Sequence, residues 1–218
     1  MIPIRDHNPS GKVPVVTNLV IVLNILVFLY MFSLGESALE GFINSYSLIP
    51  FNITNGQYLY TLFTSMFIHG GLAHIAGNMW FMHIVGDNLE DRLGPLKYLI
   101  FYLICGLGGS VLQIITDPVS TIPNIGASGA IAGLMGGYLV LFPTNRVDIL
   151  FSIGRFLESA TVPAFTLLIY WFAGQLFSGA GCVVGVEVCE VAYSAHIGGF
   201  ITGILLVKLL QRNEFIER

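Results

Sequence analysis

Charge is what this chain has least of. Asp, Glu, Lys and Arg make up 10% of its 218 residues, against about 25% in an ordinary soluble domain. Hydrophobic residues supply 55% and the mean hydropathy is +0.78, so there is too little polar surface to cover a water-soluble core. No basic tract or basic–aromatic surface is present, which excludes nucleic acid as a partner. Three cysteines, Cys105, Cys182 and Cys189, cannot build a disulfide framework. Cys182 and Cys189 share one loop and can pair only where that loop faces an oxidising compartment, and two free thiols are the favoured reading. The opening residues, Met1 to Ser10, hold no apolar run, which predicts no cleavable signal or transit peptide. The pattern His-Glu-x-x-His is absent, so a zinc protease of that class has no ligands and no metal is expected. No Asp or Glu lies deep within an apolar run, which leaves an aspartyl dyad or a carboxylate proton relay without its groups. Gly106-Leu107-Gly108-Gly109 is not followed by Lys-Ser/Thr and is no phosphate loop. No cofactor is implied.

Against that poverty of charge stand six apolar runs. A helix needs about 20 mostly apolar residues to cross the hydrocarbon core, and the pattern predicts spans at Val15–Phe32, Leu72–Val85, Leu96–Ile115, Gly126–Phe142, Thr161–Phe177 and Tyr193–Leu210. The fold expected is an all-α membrane protein, a six-helix bundle over residues 15–211 with short segments, 1–14 and 212–218, at either end. Ser33 to Gly71 is too apolar for a solvated loop and reads as short helices at the membrane surface. The basic residues test this count. Arg5 and Lys12 precede the first span, Arg92 and Lys97 separate the second and third, and Arg146 and Arg155 separate the fourth and fifth. Lys208, Arg212 and Arg218 close the chain, so all nine fall on one side. The opposite connections carry only Glu36, Glu40, Asp117, Glu187 and Glu190. Basic residues mark the cytoplasmic side, which predicts that both termini lie there.

That topology brings three polar residues to one depth. Spans two, four and six all run inward, and His74, Ser128 and His196 lie near their outer starts. Polar groups within spans are costly and face a bundle interior or a water-filled cavity, so three at one level predict one site. Ser128, in Gly126-Ala127-Ser128-Gly129, opens a helix, where unpaired backbone N–H groups suit a developing oxyanion. A serine needs a base to become a nucleophile, and His196 is placed to serve. Gly199 and Gly203 share its helix face, while Gly129 and Gly133 belong to the small-residue stripe beside Ser128; such faces let backbones approach closely. His74 and Asn78 form an i, i+4 pair able to donate hydrogen bonds to an oxyanion. His83 falls on the opposite face and reads as structural, and His69 as a packing or capping residue of the interfacial segment.

These residues resemble the rhomboid family of intramembrane serine proteases. The likeness is carried by Gly126-Ala127-Ser128-Gly129, by Ala195-His196-Ile197-Gly198-Gly199-Phe200 and by His74 and Asn78 in His-Ile-Ala-Gly-Asn-Met. Phe67-Ile68-His69-Gly70-Gly71 and Gly86-Asp87-Asn88-Leu89-Glu90-Asp91-Arg92-Leu93-Gly94 extend it. The resemblance implies a Ser128 nucleophile, a His196 general base with no third acid, and an oxyanion hole of His74, Asn78 and the Ser128 N–H. It implies single-span or polytopic membrane-protein substrates, cut in the bilayer near the outer ends of their transmembrane segments. The site would open to the extracytoplasmic side of a plasma or inner membrane. Span five would act as a gate, with Trp171, Phe172 and Gln175 as gate candidates. One departure is Ala132, where several family members carry an aromatic packed on the catalytic histidine; Tyr138 and Tyr193 are the substitutes considered for orienting His196. Two other readings remain at this stage: a catalytically silent relative that binds transmembrane helices as a chaperone, and a transporter, which would require inverted halves and interrupted helices that are not found.

Overall fold

The computed structural model describes residues 2–8, 10–183 and 191–211 of the chain. Helix α1 (Val15–Ser33) is an apolar run that buries two of its polar residues, Thr17 and Asn24, while Leu26 and Phe32 are exposed. That inside-out pattern suits lipid rather than water outside the bundle. Its first turn is capped from another helix, since the Glu90 carboxylate accepts from Val16 N–H, Thr17 N–H and the Thr17 hydroxyl at 2.8–2.9 Å. A carboxylate at a helix N-terminus pairs orphan donors and meets the positive end of the dipole.

The expected interfacial segment folds into α2 (Glu36–Tyr46), α3 (Pro50–Thr54), α4 (Thr61–Thr64) and a 3-10 turn at Ser65–Phe67. The span expected at Leu72–Val85 continues as α5 (Leu72–Leu93). It runs eight residues further because its charged end is buried in protein: Asn88 and Glu90 are 4% and 3% exposed. Gly94, at φ +82°, stops it, and Pro95 opens α6 (Pro95–Thr116), the ordinary glycine-stop and proline-start. Then follow α7 (Ser128–Leu141), α8 (Ala164–Val183) and α9 (Tyr193–Leu210). Helices α1, α6 and α9 are long and apolar enough to cross a membrane by length and composition, and α7 is a shorter apolar helix. The core forms where α7 is enclosed by α5, α6 and α9; its residues 130–138 are all buried.

The all-α expectation needs correction. A three-stranded antiparallel sheet, β1 (Ile2–Asp6), β2 (Arg146–Ile153) and β3 (Phe156–Pro163), sits at the end of the bundle remote from Ser128. Strand β1 pairs Ile2 with Leu150 and Asp6 with Val147, and β2 and β3 form a hairpin around Gly154 and Arg155. Val147 and Ile149 alternate inward onto the helices. The sheet is pinned to the bundle through β1: Trp80 Nε1 donates to Pro3 O at 2.6 Å, and Asp6 accepts from Asn88 Nδ2 at 2.6 Å and from the Tyr138 hydroxyl. Strand β3 claims Thr161–Pro163, so α8 starts later than expected and ends later, at Val183. Cys105 is buried and free; the Cys182–Cys189 pairing lies outside the described residues.

Candidate active site

The turn into α7 explains why glycine precedes the serine. Gly126 has φ +119°, a left-handed conformation that side chains rarely adopt. A Cβ there would also stand 2.7 Å from His74 Nε2 and 3.5 Å from Asn78 Nδ2. Gly126 N–H donates to Ser65 O at 2.9 Å, and Leu48 and Asn124 exchange backbone bonds of 3.0 and 2.8 Å. The interfacial segment thereby anchors the loop that delivers Ser128 to the helix start. His74 and Asn78 border this backbone two residues before the serine.

Helix α9 brings the histidine. A Cβ on Gly199 would overlap the carbonyl of Gly129, and one on Gly203 the carbonyl of Gly133, so α7 and α9 touch backbone to backbone. Gly109 of α6 faces the Ala195 carbonyl in the same way. At that separation His196 Nε2 lies 2.8 Å from Ser128 Oγ. The other ring nitrogen, Nδ1, lies 2.6 Å from Gln175 Oε1 on α8. For Nε2 to accept the serine proton it must carry the lone pair, which puts the ring proton on Nδ1, donating to the glutamine carbonyl.

The remaining candidates separate clearly. Asn78 is 8% exposed, and its Nδ2 is left without a hydrogen-bond partner among the described residues, a buried donor that the fold itself does not use. His69 packs edge-on against His74 with ring centroids 5.1 Å apart. Burial, with the His74 ring alongside, pushes the His69 imidazole down to about 4, so it is neutral at physiological pH. His83 lies instead beside Trp80, centroids 6.5 Å apart. Of the two tyrosines considered as orienting groups, Tyr138 gives its hydroxyl to Asp6 at the far end of α7. Tyr193 only sets its ring edge-on to His196 at 6.5 Å. Gln175, expected at a gate, is the side chain that bonds the histidine. Phe172 stacks on Phe200 at 4.4 Å, and an open cavity of about 510 Å³ beside α8 is lined by Phe81, Tyr170, Trp171, Gln175 and Phe177 among others. Among the described residues no group of His, Cys, Asp and Glu is arranged to hold a metal.

Comparison with known proteins adds a second line. The Rhomboid domain family model matches residues 56–213. Rhomboid protease GluP of Bacillus subtilis is 30% identical over 207 residues, covering 92% of this chain and 36% of that protein. RHOMBOID-like protein 6, mitochondrial, and RHOMBOID-like protein 4, both of Arabidopsis thaliana, are 32% identical over 154 residues. Those two alignments cover 71% of this chain and 44% and 34% of the relatives. The chain therefore spans between about a third and a half of the length of these relatives.

Proposed function

The chain belongs to the rhomboid family, and from that premise and the site's geometry we propose that it is an intramembrane serine endopeptidase. It is a multi-pass membrane protein; in this reading it crosses the bilayer six times, with both termini cytoplasmic and the site open to the outside of a plasma or inner membrane. Its substrates are single-span or polytopic membrane proteins, cut within or at the edge of the bilayer.

The observation that carries the proposal is the 2.8 Å contact between Ser128 Oγ and His196 Nε2 at a helix start. As Oγ attacks the scissile carbonyl, Nε2 takes its proton and the carbonyl oxygen becomes an oxyanion. Asn78 Nδ2, the Ser128 N–H and His74 donate to that oxygen. These donors are held before reaction begins, so little reorganisation is needed when the charge appears. Collapse breaks the C–N bond, and Nε2 delivers the proton to the leaving amine, leaving an acyl group on Ser128. Water then repeats the cycle with the same base, releasing the acid.

The test is covalent labelling by a fluorophosphonate beside cleavage of a transmembrane reporter in liposomes. Both are expected in the wild-type chain, and both should vanish in Ser128→Ala and nearly vanish in His196→Ala. Full cleavage by Ser128→Ala would end the nucleophile assignment. A wild-type chain that binds the reporter helix but is never labelled would instead be a silent, chaperone-like relative.

A further inference from the structure

A lone serine–histidine pair has an orientation problem. An imidazole turns about its side-chain bonds and has two neutral tautomers, only one of which leaves Nε2 free to take a proton. In an acid–base–nucleophile triad a carboxylate fixes both. Among the described residues no Asp or Glu side chain bonds His196, and the Ala132 methyl, buried beneath the site, has no polar atom and no ring to offer.

We infer that Gln175 is the positioning residue for His196: its side-chain carbonyl accepts the Nδ1–H bond and holds the ring in the tautomer that serves Ser128. The inference rests on the protease reading for its consequence in rate, but not for its geometry. The bond is short, 2.6 Å, and lies on the side of the ring opposite the 2.8 Å serine contact. One turn earlier on α8, Trp171 sets its ring 5.9 Å from the His196 ring at a 35° tilt. The neighbouring Phe172 stacks on Phe200 at 4.4 Å and 17°, one turn beyond His196 on α9. Two matched contacts, Gln175 with His196 and Phe172 with Phe200, therefore fix the register of α8 against α9. The amide is also the less costly acceptor, because a neutral group partly withdrawn from water loses far less solvation than a carboxylate. A consequence follows for α8: any movement of it away from α9 withdraws the acceptor from His196.

The full-length chain in detergent micelles provides the test, with Gln175→Met, which keeps length and volume but lacks the carbonyl, and Gln175→Glu, which keeps an oxygen acceptor. Nitrogen-15 NMR of the imidazoles, with the His196 signals assigned by their loss in His196→Ala, reads the tautomer directly. Wild type should show His196 protonated at Nδ1, and Gln175→Met a mixture of the two tautomers. The maximal rate of fluorophosphonate labelling should fall about 10–100-fold in Gln175→Met, part of the usual contribution of a general base, with reagent affinity unchanged. Gln175→Glu should recover most of that rate. An unchanged tautomer in Gln175→Met, or a Gln175→Glu variant as slow as Gln175→Met, would overturn the inference and leave only a packing role. Wild-type chain with no Ser128-dependent labelling would remove the protease reading, while the tautomer measurement would still decide the role of Gln175.

Discussion

Helix α9 has two unlike neighbours. Toward α7 and α6 it shows glycine to backbone carbonyl, with no side chain between the main chains at Gly199 and Gly203. Toward α8 it meets side chains: Phe172 on Phe200, and Trp171 and Gln175 on His196. Backbone contact leaves nothing to rearrange, so the first interface sets the separation of Ser128 and His196. Side-chain contact can repack, so the second decides how the ring is turned. Placing Ser128 beside His196 and turning the ring require both, and α9 meets the two kinds of neighbour on adjoining faces.

The contrast can be broken on its tight side first. Gly199→Val places methyl groups into the Gly129 carbonyl, which has no room to retreat. The cost should be at least about 3 kcal/mol, the upper range for overpacking, seen as a collapse of the thermal transition in detergent together with loss of labelling. Asn78→Ala probes chemistry rather than packing. Removing a donor that has no partner among the described residues should lower reporter cleavage by about 10²–10³ and leave the thermal transition nearly unchanged. On the loose side, Phe172→Ala should cost about 1–2 kcal/mol, less than a fully buried phenylalanine, because α8 can settle onto the gap. The smallest effect should have the opposite sign. A Cβ on Gly174 of α8 meets nothing within 4 Å, so Gly174→Ala should stabilise by up to about 1 kcal/mol through helix propensity. The same change at Gly133, whose Cβ would strike Cys105, should destabilise. Equal responses at the two glycines would dissolve the distinction between the sides.

Legibility in the sequence followed the same division. The apolar runs expected at Val15–Phe32, Leu96–Ile115 and Tyr193–Leu210 end within a residue of α1, α6 and α9, because hydrophobic length is a local property. The run expected at Leu72–Val85 stops eight residues short of the end of α5, whose last turns carry charge that hydropathy does not count as helix interior; there Glu90 is buried as the cap of α1. A buried carboxylate is recognisable only once its partners, some seventy positions away in the chain, are in place. The hairpin was within reach, since Val147 and Ile149 alternate with Asp148 ahead of Gly154-Arg155, a strand-and-turn signal. The six-span reading places this stretch only as the connection between the fourth and fifth runs, carrying Arg146 and Arg155.

By itself the sequence led to the expectation that polar residues from three apolar runs share one level and that glycines line the approach of Ser128 to His196. Both follow from composition: lipid expels polar groups into the bundle, and small faces pack closest. Only the tertiary structure decided which group turns the histidine. Gln175 lies 21 residues before His196, and nothing in local periodicity tells an amide facing an imidazole from one facing lipid headgroups. That choice belongs to the register between α8 and α9, which stacked rings and a single hydrogen bond set together.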